Sequence, residues 1–196
     1  MNVKDFKIET DELVYIPSDD SYLLAENLII NEGEKVLEIG TGTGIVAIFA
    51  STLTDKIVAT DINFNAIELA EKNFELNGIN NIQLLLGNLF EPVENQKFDV
   101  ILFNLPYLPT EESEILDDNL NYAFDGGLDG RNVIDEFLNQ LPNHLNPGGR
   151  VQLIQSSLSN IEETISNLKH LGFKVEITAS EKFFFEEIVL ITGFFN

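Results

Sequence analysis

The sequence predicts an α/β fold: a mostly parallel sheet with helices on both faces, closed at one end by an antiparallel hairpin. Three observations carry this expectation. Apolar runs of strand length alternate with segments of helical period, the pattern of a parallel sheet covered on both sides. The segment KVLEIGTGTGIVAI places a glycine-rich turn between a strand and a helix. The last two strand-like runs stand too close together for a crossover helix, so they pair as a hairpin.

Taken in order, the expected strands are KVLEI (35–39), KIVAT (56–60), NIQLLL (81–86), FDVILF (98–103), RVQLIQ (150–155), FKVEITAS (173–180) and FFFEEIVLIT (183–192). Ile45, Ala47, Ile48 and Phe49 begin one helix. Ile67, Ala70 and Phe74 form the buried stripe of a second, stopped by Asn77-Gly78. Val133, Ile134, Phe137, Leu138 and Leu141 form a third stripe, ended by Pro142. Upstream, PSDDSYLLAENL reads as a helix start capped by Ser18, Asp19, Asp20 or Ser21, with Leu23, Leu24 and Leu28 on its apolar side. The run Phe183-Phe184-Phe185 reads as core on both faces of a buried strand. A chain of 196 residues without repeats or low-complexity linkers is expected to form one domain, 1–196, with 1–32 as an N-terminal lid and helix segment and 33–196 as the catalytic core.

Composition narrows the function. The 44% hydrophobic content suits a globular protein, and no apolar run approaches the roughly 20 residues of a membrane span. No apolar stretch follows the early lysines, so no signal peptide is read and a cytoplasmic location is expected. There is no cysteine, which excludes disulfide and thiolate chemistry. His144 and His170 stand isolated, and no metal site is read. Acidic residues outnumber basic ones 33 to 11, a net charge of −22. Such a surface serves solubility, repels phosphate backbones and favours basic or neutral macromolecular partners.

In the glycine-rich turn, Gly40 and Gly42 let the backbone pass close to a ligand. The spacing is Gly-x-Gly-x-Gly, not the dinucleotide Gly-x-Gly-x-x-Gly: the position that would need the third glycine is Ile45. Acidic Glu38 before the turn disfavours a pyrophosphate and suits a cation. The strand KIVAT leads into Asp61, which either accepts hydrogen bonds from ribose hydroxyls or caps the following helix. Together these features describe a nucleoside bearing positive charge, and S-adenosylmethionine fits. After the third strand, Asn88 and Leu89 lie where open α/β sheets bind ligands.

The fourth strand, FDVILF, runs directly into Asn104-Leu105-Pro106-Tyr107. A planar amide or exocyclic amine is a poor nucleophile because its lone pair is delocalised. It improves when its N–H groups donate to fixed acceptors, and the Asn104 side-chain oxygen with the Leu105 or Pro106 carbonyl can be those acceptors. Pro106 stiffens the turn, and Tyr107 can stack on a planar group. Positioning and electrostatics, not a general base, would carry the rate.

EIGTGTG, Asp61, GNLF and NLPY together resemble a Rossmann-like class I S-adenosylmethionine-dependent methyltransferase of the amino-methylating kind. With YIPSDDSYLLAENL and FDGGLDGRNVIDEFL the chain resembles the HemK family, specifically its compact archaeal and eukaryotic branch, over nearly its whole length. It lacks the long N-terminal helical domain of bacterial members. The resemblance implies a seven-stranded sheet in the order 3-2-1-4-5-7-6 and the cofactor S-adenosyl-L-methionine, with S-adenosyl-L-homocysteine as product. It implies methylation of the glutamine in the Gly-Gly-Gln motif of class 1 release factors. Carried over position by position, it implies cofactor contacts at Ser21, Glu38, Gly40, Thr41, Gly42, Gly44, Asp61, Ile62, Asn88, Leu89 and Asn104. It implies catalytic and substrate-binding roles for Asn104, Pro106 and Tyr107. Two positions depart from the family pattern: Leu105 stands where proline is usual, and Asn88 where aspartate is common.

Two further expectations follow. NIQLLL is apolar on both faces yet lies at the sheet edge in the family's strand order, where this branch binds a small zinc-containing activator, Trm112; a heterodimer or self-association is expected there. The connection from Thr110 to Gly130, with Glu111, Glu112, Glu114, Asp117 and Asp118, is expected to face substrate and meet a basic protein. Two rival functions stay open at this point: an adenine N6-methyltransferase on RNA or DNA, which NLPY permits, and an idle module that kept the cofactor fold.

Overall fold

The computed structural model describes residues 5–108 and 127–196. The expected loop acids from Glu111 to Asp118 lie outside the described residues. Its elements run α1 (Asp19–Glu26), β1 (Lys35–Ile39), α2 (Ile45–Ala50), β2 (Lys56–Asp61), α3 (Phe64–Leu76), β3 (Ile82–Leu86), β4 (Phe98–Asn104), α4 (Asn132–His144), β5 (Leu145–Ser156), α5 (Ile161–His170), β6 (Phe173–Lys182) and β7 (Glu187–Phe195).

The strands form one seven-stranded sheet in the order β3-β2-β1-β4-β5-β7-β6, as expected. β1 pairs in parallel with β2 and β4, β2 with β3, and β4 with β5; β7 runs antiparallel to both β5 and β6. The two central strands are covered on both faces: Val36 to Ile39 and Val100 to Phe103 are buried without alternation. β3, at the open edge, keeps only Ile82, Leu84 and Leu85 half-buried, and Leu86 is exposed. No helix among the described residues is long and apolar enough to cross a membrane.

The core under the site is aromatic. Phe137 of α4 stacks on Phe90 at 5.4 Å and meets Phe103 of β4 at 5.0 Å, and Phe90 stacks in turn on the His144 ring at 4.2 Å. Burying such a phenylalanine ring contributes about 1.5–3 kcal/mol. At the amino end of the sheet, Arg150 is ion-paired with Glu34 and donates through Nε to the Ile29 carbonyl at 2.6 Å, which ties β5 to the segment before β1.

The amino-terminal segment is held along α3 by two asparagines. Asn77 accepts from the Lys7 N–H at 3.0 Å and donates to the Lys7 carbonyl at 2.8 Å. Asn73 does the same for Glu9, at 2.8 and 3.0 Å, and also donates to the Thr43 carbonyl at 2.9 Å.

Three local expectations are corrected. Pro142 does not end α4: the helix continues to His144 and passes straight into β5, since proline in the last turn forfeits one hydrogen bond without blocking the residues after it. No helix is read from the sequence between Gln155 and Phe173, yet α5 occupies Ile161–His170: Ile161, Ile165 and Leu168, spaced i, i+4 and i+7, turn an apolar stripe to the core. Phe183, Phe184 and Phe185 are not core. They form the turn between β6 and β7, closed by a Phe183 N–H to Glu186 carbonyl bond of 2.8 Å, with Phe184 and Phe185 92% and 86% exposed.

Candidate active site

A cleft opens at the carboxyl ends of β1, β2 and β4, roofed by the segment that leads into α1. It holds about 1240 Å³ of free space, part of it open to solvent, enough for a nucleoside and a substrate group together. Among its walls are Ser21, Glu38, Gly40, Thr41, Gly42, Asp61, Ile62, Asn88, Leu89, Asn104, Pro106 and Tyr107. Residues as distant in the chain as Tyr15 and Val133 meet there.

Gly44, expected among the ligand contacts, does not line the cleft. It caps α2 with φ +81°, and a Cβ there would stand 2.6 Å from the Phe74 ring. Its role is to let α2 and α3 approach. Gly42 differs: its φ is +55°, and a Cβ would meet nothing within 4 Å. Gly40 also takes a left-handed conformation, φ +66°, with the Phe103 ring 3.3 Å from where a Cβ would stand.

Two buried carboxyls flank the turn. Asp61 accepts from the Gly42 N–H at 2.9 Å and the Asn63 N–H at 2.8 Å, so its side chain clasps the glycine turn to the end of β2. The capping role belongs to Asn63, which accepts from the Asn65 N–H at 3.0 Å. Glu38, 3% exposed, receives the Thr41 hydroxyl at 2.7 Å. Burial pushes its carboxyl up to about 8; the Thr41 hydrogen bond pulls against this and the charge of Asp61 adds to it. Burial also raises Asp61, against the N–H groups that it accepts. A cation lodged in the turn would favour ionisation of both.

After β3, Leu89 is buried in a left-handed conformation, φ +43°, which costs a non-glycine residue on the order of 1 kcal/mol. Its place at the cleft wall puts that strain beside the ligand space. Asn88 is half-buried, and its backbone N–H donates to Glu91 at 3.2 Å.

At the end of β4, the Asn104 side-chain nitrogen donates to the Ser21 hydroxyl at 3.4 Å, while its oxygen, Oδ1, is buried with no hydrogen-bond partner. A buried acceptor left unmade costs about 1–3 kcal/mol. The residue itself lines the cleft, so a donor that enters there comes up against this amide. Asp20, which reads from sequence only as a helix cap, is 4% exposed and holds the roof down. Its carboxylate accepts from the Tyr107 hydroxyl at 3.1 Å, the Tyr15 hydroxyl at 3.0 Å and the Ser21 N–H at 2.6 Å. Burial and then the Asp20 charge push both phenols well above their ordinary range, so they stay protonated as donors. Ser18 does occupy the N-cap position, but its side chain makes no capping bond. Thr43, Val133 and Tyr15 also line the cleft without any mark in the sequence.

A seven-stranded sheet of this order, with a glycine turn after β1, an acid after β2 and an asparagine after β4, defines a class I S-adenosylmethionine-dependent methyltransferase. The family model for the methyltransferase small domain matches residues 18–185, and the chain belongs to that family, among its HemK-type members. The Methanocaldococcus jannaschii protein MJ0928, named as a candidate protein N5-glutamine methyltransferase, is 50% identical over 194 residues, 98% of each chain. The release factor glutamine methyltransferase of Geobacter sulfurreducens is 32% identical over 177 residues, covering 86% of this chain and 62% of the relative. Among solved structures, the E. cuniculi Mtq2–Trm112 complex, responsible for methylating the translation termination factor eRF1, matches with TM-score 0.71 and 25% identity over 93% of this chain and 99% of that one.

Proposed function

We propose that this chain is a protein-glutamine N5-methyltransferase whose substrate is the Gly-Gly-Gln motif of a class 1 release factor, working in the cytoplasm. The observation that carries the reading is the unpartnered, buried Asn104 Oδ1 in the cleft wall. It is an acceptor waiting for a planar N–H donor, and the named relatives act on such a group.

The residues suit a sulfonium nucleoside: Glu38 and Asp61 for its cationic and hydroxyl groups, the Gly40–Gly42 turn for close approach, Ile62, Asn88 and Leu89 around the base. When bound, S-adenosylmethionine supplies an electrophilic methyl group. The chain's own part is to orient the acceptor nitrogen. Asn104 Oδ1 takes one N–H of the glutamine amide, the Leu105 or Pro106 carbonyl takes the other, and the Tyr107 ring packs beside the amide plane. With both N–H groups held, the nitrogen lone pair points along the approach to the methyl. Ser21 and Asp20 keep the Asn104 amide from turning over. Asn104 has no titratable group among its hydrogen-bond partners, so orientation and electrostatics carry the rate.

In this reading residues 1–32 act as the lid and 33–196 as the catalytic core. The β3 edge, with Leu84 and Leu85 half-buried and Leu86 exposed, is the seat for a small Trm112-like activator.

The test is mass spectrometry after incubation with labelled S-adenosylmethionine, offering a class 1 release factor and an RNA in parallel. The label is expected on the release-factor glutamine. Label on adenine would move the enzyme to nucleic acid, and no label on either would overturn the reading. Asn104→Ala is expected to abolish transfer while leaving cofactor binding nearly intact.

A further inference from the structure

The β6–β7 turn is the most exposed apolar feature among the described residues, and nothing in the cofactor site uses it. Phe184 and Phe185 stand in solvent with their rings packed edge to face, centroids 4.6 Å apart, and Phe183 beside them is 39% exposed. A soluble hairpin tip is ordinarily polar, and adjacent exposed aromatics usually mark a contact surface.

The register places this tip beside the reactive end of the sheet. Asn104 on β4 lies opposite Ile154 on β5, Ile154 lies opposite Leu190 on β7, and two residues further on Ser156 pairs with Ile188. With strands spaced ~4.8 Å and ~3.4 Å per residue, the root of the hairpin stands roughly 12 Å from Asn104. The Ser156 hydroxyl donates to Glu186 at 2.7 Å, and the Glu187 N–H to the Ser157 hydroxyl at 3.0 Å, so the turn is fastened to the end of β5. The charge of Glu186 is also felt by the Tyr107 phenol. A protein docked on the cleft covers about 800 Å² of this molecule, a disc of roughly 16 Å radius, which takes in the hairpin root and leaves the rings at its rim.

We infer that the Phe183–Phe185 turn is a docking element for the protein substrate, gripping an apolar patch with a basic rim on the domain that presents the glutamine. The inference rests on the function proposed above and deepens it. The basic rim follows from charge: Glu181, Glu186 and Glu187 flank the rings against one cation, Lys182, which pairs with Glu187 at 3.9 Å, so the turn stays net negative on a chain of net charge −22. The rings supply buried area and the acids choose the partner, while Asn104 reads only the amide.

The test compares wild type with the double variant Phe184→Ser, Phe185→Ser on two substrates: an intact class 1 release factor and a short Gly-Gly-Gln peptide that fills only the cleft. Both rings lie outside the cofactor cleft, so melting temperature and S-adenosylmethionine affinity are expected to stay unchanged. The expected result is a fall in kcat/KM on the intact factor on the order of tenfold or more, with the rate on the peptide unaltered. Equal kcat/KM on the intact factor, or a matching loss on both substrates, overturns the inference. Sedimentation in the same series reads a rival occupant: a wild-type dimer that the double variant dissociates would assign the rings to a second copy and overturn it too. Wild type inactive on both substrates sinks the function itself, an outcome distinct from a variant that leaves activity untouched.

Discussion

The Tyr107 hydroxyl donates to the Asp20 carboxylate at 3.1 Å across 87 positions of chain. This bond joins the substrate end of the cleft to its roof, because the same carboxylate holds Tyr15 and Ser21, and Ser21 receives the Asn104 amide. Asp20→Asn puts N–H groups where phenol and backbone donors now point. The expected outcome is a stability loss of about 1–3 kcal/mol in urea unfolding. Methyl transfer is expected to drop about tenfold or more in kcat, with a smaller change in cofactor affinity. An unchanged kcat would show that the roof does not orient Asn104.

Glu38 predicts a pH signature. Its carboxyl, ordinarily near 4.5, is pushed up to about 8 in the ligand-free protein. Stability from the neutral form is therefore present in full below 4.5 and lost as pH rises through 8, with a slope approaching roughly 1.4 kcal/mol per pH unit between them. Glu38→Gln is expected to flatten that slope. A cationic ligand draws the proton off, so S-adenosylmethionine binding at pH 7 is expected to release close to one proton and to tighten as pH climbs toward 8. Titration calorimetry in two buffers of different ionisation heat reads this directly, and identical heats in both would refute it.

The glycines of the turn are expected to separate by substitution. Gly44→Ala combines a left-handed backbone with a Cβ 2.6 Å from the Phe74 ring, and should cost about 3 kcal/mol or more of stability by thermal or urea unfolding. Gly42→Ala pays only the backbone strain, about 1–2 kcal/mol, since its Cβ meets nothing within 4 Å. Its larger effect is expected on cofactor affinity, because the methyl group takes up room in the cleft. Equal stability losses would contradict the different roles given to the two.

Phe137 supports the cleft floor from behind through Phe103. Phe137→Ala is expected to cost about 3–5 kcal/mol, and Phe137→Leu distinctly less. Denaturant midpoints at unchanged slope would check this.

The strands, the glycine turn and the NLPY asparagine were legible because each is written locally: apolar runs, a Gly-x-Gly spacing, an amide closing a strand; the strand order came only with the family resemblance. What stayed hidden depends on distant chain. Asp20 looks like any cap among four polar neighbours, and only the arrival of Tyr107 makes it a buried hub. Gly44 continues the glycine spacing, yet its cause lies in Phe74 on another helix. The Phe183–Phe185 turn misleads for the opposite reason. It carries no glycine, proline or asparagine to announce a reversal, and three aromatics match strand composition better than turn composition.

Asn73 and Asn77 grip the amino-terminal strap solely by its peptide groups at Lys7 and Glu9. Identity at those two places is therefore free to drift, proline aside, while exchanging either asparagine removes its peptide bonds to the strap and leaves more of the hold to Phe6 and Ile8 on the core. Tolerance to mutation is lopsided across this seam: permissive at the two gripped positions of the strap, strict on the helix.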